Sequence, residues 1–225
     1  MTLSTTPLDG PTNSPPVADL SAPASAVQGQ QITLDASGSS DPDGDALTYA
    51  WDLDGDGAFD DATGATVQHS FATPGMQTVG VEVSDGTDTN STAATVEVAY
   101  AAPLDVKPGS DDNPVNAKAK GVLTVAILNT DDFDPSAVVV ESLVLSATTG
   151  GDGASPVRGA HYEDVDGDGY DDLVVKFATA DIGIESTSST LYLSGEMADG
   201  MSLVGSDDVT VVGNDKSNNG NSRGR

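Results

Sequence analysis

Val79, Val81 and Val83 are separated by Gly80 and Glu82, and this two-residue beat recurs along most of the chain. Ile32 and Leu34 keep it, as do Leu47, Tyr49 and Trp51, and Val96 and Val98. A strand sends successive side chains to opposite faces, so such runs bury one face only as strands. The three-to-four spacing of amphipathic helices is nearly absent. Gly, Asp, Pro and Ser interrupt the runs at short intervals, the rhythm of a sandwich or barrel. The beat pauses at "AYAAPLDVKPGSDDNP", residues 99–114, where Pro and Gly rise. It resumes with Leu123, Val125 and Ile127, then Leu143 and Leu145, Leu173, Val175 and Phe177, Leu191 and Leu193, and Val209 and Val211. The expectation is an all-β chain of two tandem β-sandwich domains, at 12–99 and 115–213, joined by a linker and lead-in at 100–114. Residues 1–11 read as an extended N-terminal tail and 214–225 as a polar C-terminal tail.

What fills the interruptions is acid. The 225 residues hold 36 Asp and Glu against 8 Lys and Arg, a net charge of -28. Such a field repels nucleic acid and anionic membrane surfaces, so neither is expected as a partner. Thirty of the acids are Asp and six are Glu. A solvated helix face would favour Glu, whereas Asp is a turn residue and a compact metal ligand. A halophile's acidic surface is the competing explanation of the charge. There is no cysteine, so thiol catalysis, disulfides and Cys-based zinc sites are excluded. No apolar run is long enough for a membrane-spanning helix. The opening "MTLSTTPLDGPTNSPP" lacks the basic and apolar regions of a signal peptide. An export signal already removed, or a fragment of a longer chain, is therefore expected.

Two acidic stretches share one spacing. "DLDGDGAFDD", 52–61, places Asp52, Asp54 and Asp56 at positions one, three and five of an EF-hand-type loop. Gly57 follows at the sharp turn, the Ala58 carbonyl at the seventh position and Asp60 at the ninth. "DVDGDGYDDL", 164–173, repeats this with Asp164, Asp166, Asp168, Gly169, the Tyr170 carbonyl and Asp172. Alternate spacing aims successive carboxylates into one concavity, where a hard cation offsets their repulsion. At least two Ca2+ ions are therefore expected. The bidentate Glu of the twelfth EF-hand position is absent, replaced by Thr63 and Val175, and both loops adjoin strands. A structural site, not a switching one, is expected. "SSDPDGDALTYAW", 39–51, offers Asp41, Asp43 and Asp45, with Asn13 as a further ligand, or else forms a simple Pro-Asp-Gly turn. "PGSDDNP", 108–114, offers Asp111 and Asp112 for an ion that stiffens the linker.

The segment "NSPPVADL…GQQITLDASGSSDPDGDALTYAWDLDGDG…VQHSFATPGMQTVGVEVSDG" resembles a PKD domain over about residues 12–99. The resemblance implies an immunoglobulin-like β-sandwich, used in extracellular proteins as a spacer, adhesion module or non-catalytic part of a secreted enzyme. It implies calcium near the domain opening, at Asn13, Asp41 and Asp43, with Trp51 in the core and His69 structural near a strand end. The usual W-D-F-G-D-G is here the longer Trp51–Gly57 run. The second half, "LDVKPGSDDNPVNAKAKGVLTVAILNTDDFDPS…EDVDGDGYDDLVVKF", resembles an uncharacterised module of secreted bacterial and archaeal proteins. Its acidic loop is similar to the calcium loop of an FG-GAP propeller repeat, of which one copy builds no propeller. Neither resemblance brings an enzymatic activity.

No enzyme is expected. His69 and His161 are the only histidines, and neither has the context of a catalytic base. A glycosidase needs two carboxylates across a cleft, but most clusters here have metal spacing. Aromatic residues are 4% of the chain, few for a sugar-stacking platform. Asn90-Ser91-Thr92 is a glycosylation sequon, which says only that a turn there can face solvent. The expected function is an extracellular or cell-surface structural or adhesive protein, a spacer or self-assembling block of a fibre, layer or matrix. Self-association would use edge strands or termini, and glycans or other surface proteins are the other partner classes. The alternatives are a polysaccharide- or protein-binding accessory module of a secreted hydrolase, and a halophile's soluble protein with empty acidic loops.

Overall fold

The computed structural model describes residues 12–157 and 159–213; the two expected tails, 1–11 and 214–225, lie outside them. The fold is all-β, with 46% of residues in strands and 4% in helix. The helical residues are three single turns of 3-10 helix, at Pro135–Ala137, Val140–Ser142 and Thr179–Asp181. The chain forms two compact units that divide after Ala99.

The first unit is an immunoglobulin-like β-sandwich. It contains strands β1 (Ser25–Val27), β2 (Ile32–Asp35), β3 (Thr48–Asp52), β4 (Ala62–Thr63), β5 (Thr66–His69), β6 (Gly75–Ser84) and β7 (Thr89–Ala101), the last of which runs two residues past the division. One sheet has the order β4, β3, β6, β7, with antiparallel neighbours and β1 added parallel to β7. The other is the antiparallel pair β2 and β5. The period-two residues converge as their spacing requires. Leu34, Trp51, Val79, Val81, Val83, Val96 and Val98 are all fully buried, with Phe71 and Ala36 beside them. Trp51 pairs with Val81 across β3 and β6, and its indole N–H donates to the Gly64 carbonyl at 2.8 Å. The largest buried ring therefore has its one polar atom satisfied.

The second unit opens at Tyr100. Its strands are β8 (Leu104–Val106), β9 (Pro114–Asn116), β10 (Val122–Ile127), β11 (Val144–Ser146), β12 (His161–Glu163), β13 (Asp172–Ala178), β14 (Thr190–Glu196), β15 (Ser202–Asp208) and β16 (Thr210–Val212). β12, β13, β10 and β8 form one sheet. β11, β14 and β15 form another, to which Tyr100 and Ala101 pair in parallel along Leu203 and Val204. Cross-strand pairs Leu123–Phe177, Val125–Val175 and Ile127–Leu173 build the centre of its core. Ala126 and Val174 are buried on the opposite face, so the middle of the β10–β13 pair is covered on both sides. The stretch 100–114, expected as a linker and lead-in, supplies strand β8 and the start of β9. Pro108 and Gly109 fall in the turn between those strands, while Leu104 and Val106 still alternate with Asp105.

Because Trp51 is the single tryptophan, its fluorescence reports the first unit alone. Leu34→Ala should destabilise that unit by about 2–5 kcal/mol in denaturant titration, the range for emptying a buried leucine site. Thr66→Ala, at an exposed position of the facing strand, should stay within about 0.5 kcal/mol of the parent.

Candidate metal centres

β3 ends at Asp52, and the first acidic loop leaves the sheet from that residue. Asp52 is itself buried, at 8% exposure. Its two carboxylate oxygens accept from the Gly55 amide at 2.7 Å and the Gly57 amide at 3.0 Å, which wraps the loop around the acid. Asp54 accepts from the Asp56 amide and Asp56 from the Ala58 amide, two further local turns. Gly55 and Gly57 have φ of 76° and 89°, in the left-handed region where a Cβ is strained. Asp61 closes the loop: its Oδ2 accepts from the Leu53 amide at 2.6 Å and the Asp54 amide at 3.2 Å. One oxygen from each of Asp52, Asp54 and Asp61 lies within 4.8 Å of the others.

The second loop repeats this wiring and then enters a strand. Asp164 accepts from the Gly167 amide at 2.7 Å and the Gly169 amide at 3.1 Å. Asp166 accepts from Asp168 and Asp168 from Tyr170, through their amides. Asp172, the first residue of β13, closes the loop and is fully buried. Its oxygens accept from the Asn129 amide at 2.8 Å and the Val165 amide at 2.9 Å. Oxygens of Asp164, Asp166 and Asp172 form the second group within 4.8 Å. Oxygens on opposite sides of a calcium ion, each at roughly 2.3–2.6 Å, stand about that far apart. The donor set and spacing of both groups therefore fit a hard cation. Among the described residues no lysine or arginine pairs with either group.

Of the acids that the loop spacing nominates, the structure brings together Asp52 and Asp54 in one group and Asp164, Asp166 and Asp172 in the other. Asp56 and Asp168 stand outside these carboxylate triads, and the Ala58 and Tyr170 amides close the local turns already described. Asp60 is exposed and outside its triad, where Asp61 stands instead. The first loop is one residue longer before its closing acid. That extra length holds Phe59, whose ring packs over Gly80 of β6; a Cβ on Gly80 would meet it at 3.1 Å. Only the doubled Asp at 60–61, mirrored at 171–172, hints at this shift.

Asp41, Asp43 and Asp45 form a turn in which Asp41 Oδ1 accepts from the Asp43 and Asp45 amides, and Asp43 accepts from the Ser14 amide at 2.7 Å. Asn13 donates to Asp85 at 2.9 Å and Asp88 at 2.8 Å. The Asp88 amide, the Asn13 side chain and the Thr87 amide hold the Asp85 carboxyl below its ordinary value. Asp111 and Asp112 are exposed in the turn between β8 and β9. His69 packs edge-on against Phe71, and burial lowers its pKa against an opposing pull from Asp61.

Residues 13–100 match the model of the PKD domain family. No curated protein sequence matches the chain. Among solved structures, the PKD1 domain of Vibrio anguillarum Epp is 30% identical; the match covers 39% of this chain and 96% of that domain, with a TM-score of 0.32. A nucleoside hydrolase-related hypothetical protein from Saccharophagus degradans, associated with carbohydrate metabolism, is 24% identical over 39% of this chain, with a TM-score of 0.31. The match spans only 26% of that protein's own length. A structure of carbohydrate-binding modules of the β-sandwich superfamily is 19% identical, over 83% of this chain and 56% of that one, with a TM-score of 0.36. Through residues 13–100 the chain belongs to the PKD domain family.

Proposed function

We propose that the protein is an extracellular structural or adhesive module whose two units are each stapled by calcium, serving as a spacer or building block of a surface fibre, layer or matrix. The observation that carries this reading is the repeated loop. Each unit gathers three carboxylates, one of them buried, with no basic side chain among the described residues to neutralise them. A buried charge without a partner is strongly destabilising, so a cation at each loop converts a liability into a cross-link between loop and strand. Calcium suits these oxygen-only, irregular sites, and extracellular modules bind it at about 0.1–1 mM.

The non-catalytic part of the reading rests on the histidines. His69 is packed against a phenylalanine, and His161 pairs with Glu163 on a strand edge with no nucleophile bonded to it. No helix among the described residues is long and apolar enough to cross a membrane. For self-association, strands β4, β8, β11 and β12 are each only two or three residues long. Short edges offer little ladder to a neighbour, which favours termini over edges as the contact. The second reading, an accessory module that contacts polysaccharide for a secreted hydrolase, draws on Tyr162 and Tyr170 of the second unit, 50% and 56% exposed.

Scanning calorimetry with and without EDTA tests the staple. At calcium 100-fold above its Kd, each site should add about 2.7 kcal/mol, roughly 10–20 °C in Tm for a domain of this size. An unchanged melting curve would remove the metal reading and leave a halophile's empty loops. Asp61→Ala should weaken one calcium by at least about tenfold, while Asp60→Ala should stay within about twofold. Equal effects of the two changes would reject Asp61 as the closing ligand. Electron microscopy in calcium should show particles longer than one chain. Monomers alone, together with measurable glycan binding, would favour the accessory reading.

A further inference from the structure

Asn113 sits in the turn before β9 with φ of 41°, and it is only 6% exposed. Its Nδ2 donates to Asp207 Oδ2 at 2.8 Å and to the Asp208 carbonyl at 2.9 Å. Two acceptors on one side fix which end of the amide is nitrogen. Oδ1 therefore faces away from them, buried and without a hydrogen-bond partner among the described residues. Leaving a buried acceptor unpaired costs about 1–3 kcal/mol, and native structures rarely do so without a reason.

The reason lies in what surrounds it. Asn113 lines a recess of the second unit together with Asp105, Asp111, Asp166 and Asp207. Asp105 is half-buried on β8. Burial lifts its carboxyl above the ordinary value, and the charges of Asp207, Asp166, Asp172 and Asp111 add to the effect. Among the described residues no base pairs with them: Lys107, two residues along, donates its Nζ to the Pro114 carbonyl at 3.0 Å. Asp207 is already engaged, accepting from the Val106 amide at 2.7 Å and from the Asp208 amide at 2.8 Å in addition to Asn113. It is a positioning residue that aims the Asn113 amide. The free oxygens are those of Asp105, Asp111 and Asn113.

We propose that this recess is a further divalent-cation site, separate from the acidic loops, in which Asp105, Asp111 and Asn113 Oδ1 ligate calcium. Asp166 forms the wall shared with the second loop, and the other residues belong to the new site alone. Mixed carboxylate and amide oxygens from a turn and a strand suit calcium's flexible coordination better than magnesium's strict octahedron. The ion would tie β8 to the 108–113 turn, and β15 would be held to it only through the Asn113–Asp207 hydrogen bond. The site extends the calcium reading, yet either can fail alone.

Calorimetric titration of the full chain with calcium chloride, after dialysis against EDTA, separates them. The double variant Asp54→Ala, Asp164→Ala disables both loops and should keep one calcium. Adding Asp105→Asn should remove that ion, and Asp105→Asn alone should lower the parent stoichiometry by one. Asp105→Asn should also raise Tm in EDTA, because a repulsive charge is gone, and lower it in millimolar calcium. Unchanged stoichiometry in Asp105→Asn, or a lower Tm in both buffers, overturns the proposal. Full calcium retention by the loop variant would instead sink the loop assignment, and this site stands if Asp105→Asn still loses one ion.

Discussion

Asp172 is a fully buried carboxylate held by two backbone amides and, among the described residues, by no cationic side chain. Its neighbour Leu173 is at the centre of the second unit's core, paired with Ile127. Asp52 occupies the mirror position in the first unit, one residue after Trp51. In both units the acid that anchors the loop is thus covalently next to a residue that anchors the core. Whatever neutralises the loop also holds the end of a core strand. Electrostatics at the loop and packing in the sandwich are one mechanical system, which is why an ion there would act on stability and not on a distant switch.

The two loops reach the same charge arrangement by different backbones. Both use a first acid that accepts two glycine amides, and both close with an acid bonded to the amide of the second loop residue. The first leaves a strand through its opening acid, whereas the second enters a strand through its closing acid. The longer first loop accommodates Phe59 over Gly80, so a side chain seats it on the sheet. The second is seated by Asp172 itself, through the Asn129 amide. A cation needs oxygens at the right separation and is indifferent to how the chain delivers them.

Much of this was legible in one dimension. The alternation of Val79, Val81 and Val83, or of Leu123, Val125 and Ile127, names the buried face because strand geometry leaves no other way to hide it. Gly55, Gly57, Gly167 and Gly169 mark the left-handed turns that only glycine adopts without strain. Asp61 was illegible for a definite reason. Position counting assumes a loop of fixed length, and one added residue slides the closing acid from Asp60 to Asp61. In the 100–114 stretch Pro and Gly break up the alternation, yet three alternating residues within it are enough to form β8.

The sequence by itself determined the class of the fold, the two-part organisation and the chemistry of the loops, because these follow from periods of two and from ligand types within ten residues. Tertiary structure alone decided which acids lose their water and which polar atoms lose their partners. Asp105, Asn113 and Asp207 are unremarkable along the chain, and only the folding of β8, the second acidic loop and β15 onto one another gathers them beside Asp166. Burial and proximity between residues a hundred positions apart are properties of the packed sandwich, and no local pattern records them.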